Sequence, residues 1–282
     1  MAYKLGLFDR EYYFYENISN YINICIPKYI GTIKDSDFVS RGILLENINK
    51  EGFYLNLDLN KESIDVPLKI IEQCAKFHSL FWNKDLSKSF NNIKKHNNTM
   101  FNPGWGEFIR ERWPLFVDKW KYMITPSVLT KLSYIIDRFD SIQEYLSIDN
   151  LTMCHGDVKS GNIFYKKVDT GYMPYFIDWQ YIVHGKGVQD IVFFIIESFT
   201  IDHIGHYFDI FKKYYYIKLQ EYGVTNYLID DYNKDFEYAI CYFPFFVAIW
   251  FGTTHTEELI DVSFPYIFIQ KLLFVIDMYI VT

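Results

Sequence analysis

The stretch from Cys154 to Asp190, CHGDVKSGNIFYKKVDTGYMPYFIDWQYIVHGKGVQD, restricts what this chain can fold into more than any other part of it. His155-Gly156-Asp157 is followed by Asn162, five residues after the aspartate. Gly156 and Gly161 give the backbone of that loop freedom to turn. Ile163-Phe164-Tyr165 reads as a short strand leaving it, and Lys167 to Gly171, with Asp169 and Gly171, supplies hairpin turn chemistry. Tyr175 to Ile177 reads as the returning strand. Asp178 then emerges at the strand end, beside the loop that carries Asp157 and Asn162. Hairpin geometry alone therefore brings three oxygen-bearing side chains together from about twenty residues of chain.

Phosphoryl transfer has a use for such a trio. It needs one carboxylate to orient a hydroxyl and accept its proton, and an oxygen-rich pair to hold the magnesium that neutralises the phosphates. Asp157 suits the first job; Asn162 and Asp178 suit the second. A lone His-Gly-Asp is common in loops, and an isolated aspartate after an apolar strand is usually a turn residue. The information lies in the ordered combination.

His155-x-Asp157-x-x-x-x-Asn162 followed by Ile177-Asp178-Trp179 resembles the catalytic core of the protein-kinase-like small-molecule kinases. These include aminoglycoside phosphotransferases, choline kinases and an ecdysteroid-kinase-like group. The last is the nearest in look, because Phe77-His78-Ser79-x-Phe81-Trp82 and Gly185-x-Gly187-x-x-Asp190 with Phe193-Phe194 match its habit as well. The resemblance implies an α+β, protein-kinase-like fold. Residues 1–48 would form an incomplete N-terminal lobe, and residues 49–282 a mainly helical C-terminal lobe carrying the catalytic hairpin. It implies Asp157 as catalytic base, Asn162 and Asp178 as Mg²⁺ ligands, and His155 and Asp190 as structural support. It implies ATP as cofactor, with adenine meeting the backbone at Glu46, Asn47 and Ile48, and a small-molecule hydroxyl as acceptor. Glu11 holds the place of a helix glutamate that pairs with a strand lysine in that family.

Composition narrows the partners and the compartment. A net charge of −7 argues against a general nucleic-acid binder, which needs a basic face. Cys25, Cys74, Cys154 and Cys241 are scattered and form no CxxC pair, which fits free thiols in a reducing cytosol better than a zinc site. The N-terminus has no apolar signal core, and the longest apolar run, Tyr242 to Gly252, is too short to span a bilayer. Oligomeric state is silent.

Along the chain, residues 6 to 20 read as a helix with Phe8, Tyr12 and Tyr15 on one face. Tyr29 to Ile33 and Arg41 to Asn47 read as paired strands, with Lys34-Asp35-Ser36-Asp37 as their turn. Asn60 to Asp85 reads as mostly helix, capped by Ser63 or Asp65, with Ile70, Ile71, Cys74, Phe77 and Phe81 as the buried stripe and His78 as a satisfied core histidine. Residues 86 to 104 read as a mobile polar loop. Helices are expected over 105–123, with a break or kink at Pro114, and over 126–146. Gly185 to Gly187 is expected as a flexible turn before a helix from Asp190 to Phe199. Three further helices follow, near 203–222, 228–251 and 264–280. His255, Glu257 and Glu258, in the loop before the last, are candidates for acceptor contact.

One part of the family pattern is not found. No glycine-rich hairpin and no strand lysine precede the Glu11 helix, because only Ala2, Tyr3 and Lys4 stand ahead of Leu5-Gly6. Glu11 is thus expected to lack its lysine. Two readings follow: a phosphotransferase, or a catalytically silent or truncated relative that serves as a binding module.

Overall fold

The computed structural model describes residues 6–34, 41–97, 104–169 and 171–281. Strands β1 (Tyr29–Lys34) and β2 (Arg41–Leu45) pair antiparallel. Their expected turn, apart from Lys34 itself, lies outside the described residues, as does Lys4. Strand β3 (Phe53–Leu55) is followed, after a long helical stretch, by β4 (Thr152–Cys154), β5 (Ile163–Val168), β6 (Gly171–Phe176) and β7 (Val183–Gly185). Strand β5 is the centre of a three-stranded antiparallel sheet in the order β3-β5-β6, and β4 pairs with β7. The β5–β6 register, from Ile163 opposite Phe176 to Val168 opposite Gly171, is the hairpin that the turn residues imply. Ile163 and Tyr165 of β5 are buried, and Lys166 and Lys167 are exposed.

The rest is helix: α1 (Leu7–Asn17), α2 (Asp65–Phe81), α3 (Leu86–Ser89), α4 (Trp105–Trp120), α5 (Pro126–Tyr145), α6 (Val188–Ser198), α7 (Ile201–Glu221), α8 (Ile229–Ile240), α9 (Phe243–Thr253) and α10 (Phe264–Tyr279). The α2 stripe of Ile70, Ile71, Cys74, Phe77 and Phe81 is buried, as its periodicity demands. Helix α6 buries every residue from Val188 to Ile196 and runs through the core. Helix α9 is apolar on all sides and packs against α4 and α10.

Several expectations change. The segment read as one helix over 228–251 is two, parted at Cys241-Tyr242, where Tyr242 leaves helical geometry (φ −107, ψ −95). Pro244, in the first turn of α9, has no N–H with which to continue the ladder from α8. Counted together, Ile229–Thr253 is long and apolar enough to cross a bilayer, yet 72% of its most apolar window is buried inside the protein. The chain runs through Pro114 without breaking α4, and a 3₁₀ turn at Lys121–Met123 completes that stretch. Phe8 is exposed, so the buried face of α1 is Leu7, Arg10, Tyr12, Phe14 and Tyr15. The 86–104 stretch is more ordered than a plain loop: it holds α3, capped by Asp85, and Lys95 bridges to His184 of β7. Residues 98–103 of it lie outside the described set.

Candidate active site

The loop after β4 is tied down from below by one buried carboxylate. Asp190, near the start of α6, accepts the backbone N–H of His155 at Oδ2 (2.7 Å) and that of Gly156 at Oδ1 (2.8 Å). His78 of α2 donates its Nε2–H to the same Oδ2 (3.0 Å), which leaves Nδ1 to accept from the Tyr215 hydroxyl (2.7 Å). Burial opposes ionisation of Asp190, but the hydrogen bond from His78, helped by the Gly156 N–H, holds it below the usual carboxylate range. The approach is close enough to require glycine. A Cβ on Gly187 would run into the Tyr215 hydroxyl and lie 2.7 Å from His78 Nδ1. Gly185 and Gly187 are therefore sites of tight packing and not a flexible turn. Gly156 has φ +86, and a Cβ there would strike the Tyr181 carbonyl. Gly161 keeps a negative φ, so the freedom expected there is not used.

His155 locks the other side of the loop. Its Nε2–H donates to the Ile177 carbonyl (2.9 Å), and its Nδ1 accepts the Asp157 N–H (3.3 Å). That pairing sets a neutral ring, and burial lowers its pKa further. The ring lies against Trp179 at 4.5 Å. Ile177 N–H donates to the Asn162 carbonyl (3.0 Å), which stitches the end of β6 to the loop and brings Asp178 beside it.

Asp157 is buried. Its Oδ2 receives the Lys159 ammonium (2.7 Å) and the Asn162 amide (2.9 Å), and the same amide donates to the Asp157 carbonyl (2.9 Å). Burial pushes its pKa up to about 6, against the pull of Lys159, with Asp178 adding to the rise. Because its nitrogen is committed to Asp157, Asn162 keeps its carboxamide oxygen for another partner. Asp178 sits in the left-handed region (φ 65, ψ 63), which aspartate tolerates better than most residues. Its carboxylate has no hydrogen bond or ion pair among the described residues. A carboxylate and an amide oxygen without cationic partners are donors of the hard type that suits Mg²⁺.

Glu11, from α1, comes to the same place by another route. Its Oε1 accepts the backbone N–H of Trp179 (3.3 Å). Burial raises its pKa and the neighbouring Asp178 raises it further. Phe14, one turn on, stacks flat on Trp179 at 3.9 Å. No lysine meets Glu11 among the described residues.

Two cavities meet at Asp178. One, of about 410 Å³, is lined by Glu11, Tyr15, Glu46, Asn47, Ile48 and Asp178 among others. The Glu46 N–H is spent on the Lys28 carbonyl (2.8 Å), and its side chain pairs with Lys50 (2.9 Å). The Ile48 N–H has no partner among the described residues. The second cavity, about 440 Å³, holds Asp157, Lys159 and Asp178 at one end and aromatic side chains from α9 and α10 at the other. Glu258 lines it, whereas His255 and Glu257 do not. A larger polar bowl of about 1090 Å³ shares no residue with either. Of the sequence-selected residues, Asp157, Asn162, Asp178, Glu11 and His155 gather around the loop, Asp190 lies beneath it, and Glu46 to Ile48 reach it across the smaller cavity. Lys159 has no part in the sequence reading. Its signal is simple: a lysine two residues after Asp157 in the same tight loop has little choice but to meet it.

A helical body with a small sheet, a β5–β6 hairpin and an aspartate loop pinned from α6 define the protein-kinase-like small-molecule kinase superfamily. The solved structures that resemble this one agree. They include an ethanolamine kinase from Plasmodium vivax (TM-score 0.58, 16% identity, 94% of this chain and 70% of that one). An aminoglycoside 2'-phosphotransferase solved with GDP matches at TM-score 0.59 and 11% identity, over 95% of this chain and 82% of that one. An amicoumacin kinase solved with AMP-PNP and Ca²⁺ matches at 0.58 and 11%, over 98% and 78%. No curated protein matches the sequence. The chain belongs to the ecdysteroid kinase-like family, whose model matches residues 1–225.

Proposed function

We propose that this protein is an ATP- and Mg²⁺-dependent phosphotransferase acting on a hydroxyl of a small molecule. The observation that carries the reading is the position of Asp178, which lines both the cavity edged by Glu46, Asn47 and Ile48 and the cavity that holds Asp157. A phosphoryl donor seated in the first would present its terminal group to an acceptor seated in the second. Mg²⁺, when bound, neutralises charge on the transferring phosphates. Asn162 and Asp178 would hold it, through the carboxamide oxygen and the carboxylate that have no partner among the described residues.

Asp157 orients the acceptor hydroxyl and takes its proton. A carboxylate raised to about 6 is ionised at neutral pH yet basic enough to help. Lys159 keeps that carboxylate charged. His155 and Asp190 fix the loop and touch no reactant. The backbone at Glu46 to Ile48 meets the adenine, with the Ile48 N–H as the open donor. Glu11 steers Trp179 and therefore Asp178. We assign residues 1–48 and 49–282 to the two lobes on either side of this cleft. Four free cysteines support a reducing, cytosolic setting.

Isothermal titration with Mg²⁺-ATP tests the donor half. Binding is expected in the parent protein and should be lost in Asp178→Ala; absence of binding, or indifference to that change, removes the reading. A catalytically silent binding module is the second reading, favoured by Glu11 having a backbone N–H in place of a lysine. Phosphate transfer to any alcohol, abolished by Asp157→Asn, would eliminate it.

A further inference from the structure

We propose that the polar bowl beside β7 binds a free phosphorylated sugar or polyol, at a site separate from the transfer cleft. The bowl encloses about 1090 Å³ and shares no residue with the two cavities that meet at Asp178. A ligand there is independent of the phosphotransferase reading.

The walls of the bowl are held by the fold itself. Where α2 ends, Asn83 donates its N–H to the Leu151 carbonyl (2.7 Å) and takes the Leu151 N–H at Oδ1 (3.2 Å). The 93–97 segment is laced to β7 and α5. The His184 N–H reaches the Lys94 carbonyl (2.9 Å), the Gln143 amide reaches the His96 carbonyl (2.6 Å), and the Ser147 hydroxyl accepts the Asn97 N–H (3.0 Å). Lys186 forms a buried part of the lining. Its ammonium sits over the Tyr145 ring (4.5 Å) and pairs with Asp235 Oδ1 (2.8 Å), and Asp235 is fixed in turn by the hydroxyls of Tyr145 (2.8 Å) and Tyr227 (2.6 Å). An ammonium has three donors, and no acceptor besides Asp235 is bonded to this one among the described residues.

Charge selects the ligand. Five lysines line the bowl against three aspartates, in a chain of net charge −7. Lys186 is answered by Asp235, and Asp85 by Lys88 (3.8 Å) and by the N–H and hydroxyl of Ser87. Lys84, Lys94, Lys95 and Lys234 then have no carboxylate partner among the described residues, against Asp149 and Asp231 on the acidic side. An anion with two or more charges answers that excess. No arginine lines the bowl. Separate ammonium groups from several elements suit phosphate, which takes point charges from many sides, better than a planar carboxylate that calls for a guanidinium fork.

The rest of the lining describes the body that carries the phosphate. The amides of Asn83, Asn91, Asn97 and Asn150, with the carboxylates of Asp149 and Asp231, suit hydroxyl groups. Burial, with Lys95 adding, lowers the His184 pKa to about 4, so its ring is neutral, and its Nε2 has no hydrogen-bond partner among the described residues. A sugar hydroxyl, which donates or accepts as needed, fits such a nitrogen. A nucleotide fits less well. Tyr145 is the single aromatic residue other than His184 in the lining, and its ring is already met by Lys186 and by Lys234 (4.8 Å), so a base finds no open platform. Asp85, Asp149 and Asp231 are exposed and oppose an anionic membrane surface, which favours a free small molecule over a lipid headgroup.

Isothermal titration of the whole protein, without nucleotide or Mg²⁺, tests this with fructose 1,6-bisphosphate, fructose 6-phosphate, fructose and inorganic phosphate. The bisphosphate should bind most tightly and the monophosphate about tenfold more weakly, with fructose and inorganic phosphate weaker than either. Lys84→Gln/Lys95→Gln, checked for an unchanged circular dichroism spectrum, should weaken the bisphosphate about tenfold. Lys159→Met, which removes the cation from the transfer cavity, should leave it unchanged. No binding of the sugar phosphates, equal affinity for fructose and its phosphates, or inorganic phosphate as tight as the monophosphate overturns the proposal. So does indifference to the paired lysine change, or loss of binding in Lys159→Met. Titration with Mg²⁺-ATP answers separately: sugar-phosphate binding without ATP binding removes the phosphotransferase reading alone and leaves the bowl's ligand standing.

Discussion

Lys159→Met should move the ionisation of Asp157 to higher pH. The lysine ammonium lies 2.7 Å from Asp157 Oδ2, and its side chain is 30% exposed while that of Asp157 is 6% exposed. Burial raises the carboxyl and the lysine opposes that rise, so its position, about 6, is a compromise. At full interior strength the attraction would be several kcal/mol; solvent reaching the lysine screens it to on the order of 1.4 kcal/mol, or about one pH unit. The sign follows from charge: removing the cation leaves the anion less favoured, so the midpoint climbs toward about 7. The assay is a ¹³C-carboxyl NMR titration, with Asp157→Asn identifying the resonance, and it needs no turnover. A midpoint that stays put or falls would refute the claim that Lys159 is what keeps Asp157 charged.

Three more outcomes are expected. Because the folded pKa of Asp157 is raised above its unfolded value, the protonated folded form is favoured; this contribution is present below about pH 4 and lost as pH rises through about 6. Asp157→Asn should therefore stabilise the fold at pH 7 by about 1–2 kcal/mol in denaturant titrations, with the gain vanishing near pH 4; a pH-independent effect would contradict it. Gly187→Ala should cost about 2 kcal/mol, since the added methyl must displace the Tyr215 hydroxyl or His78, and an unchanged denaturation midpoint would show the packing to be looser than described. Trp179→Ala removes a fully buried ring stacked on Phe14 and should cost about 3–5 kcal/mol, with faster amide exchange in α1 as the local mark; exchange unchanged there would break the link to α1.

The hairpin was legible because its signals are local. Turn residues, strand alternation and a fixed count from Asp157 to Asn162 leave few ways to arrange that stretch. The α2 stripe was legible for the same reason, since a periodic apolar face has one use. What escaped the sequence depends on what lies across the fold. Gly185 and Gly187 look like a hinge until Gln189 and His96 close on the first, and Tyr215 and His78, from two other helices, close on the second. Phe8 continues the apolar spacing of α1 yet stays more than half exposed. The split between α8 and α9 had a local marker in Pro244 that the surrounding apolar run concealed. Glu11 matched a family position, yet its partner, a backbone amide 168 residues away, is visible only in three dimensions.

The pairing of Phe14 and Glu11 with Trp179 has a mechanical consequence. Trp179, one residue after Asp178, is gripped twice by the same helix, once at its ring and once at its amide. A roll or slide of that helix cannot occur without reorienting the adjacent carboxylate. Anything that presses on the exposed face of the helix, Phe8 included, thereby acts as a lever on the ion-holding group.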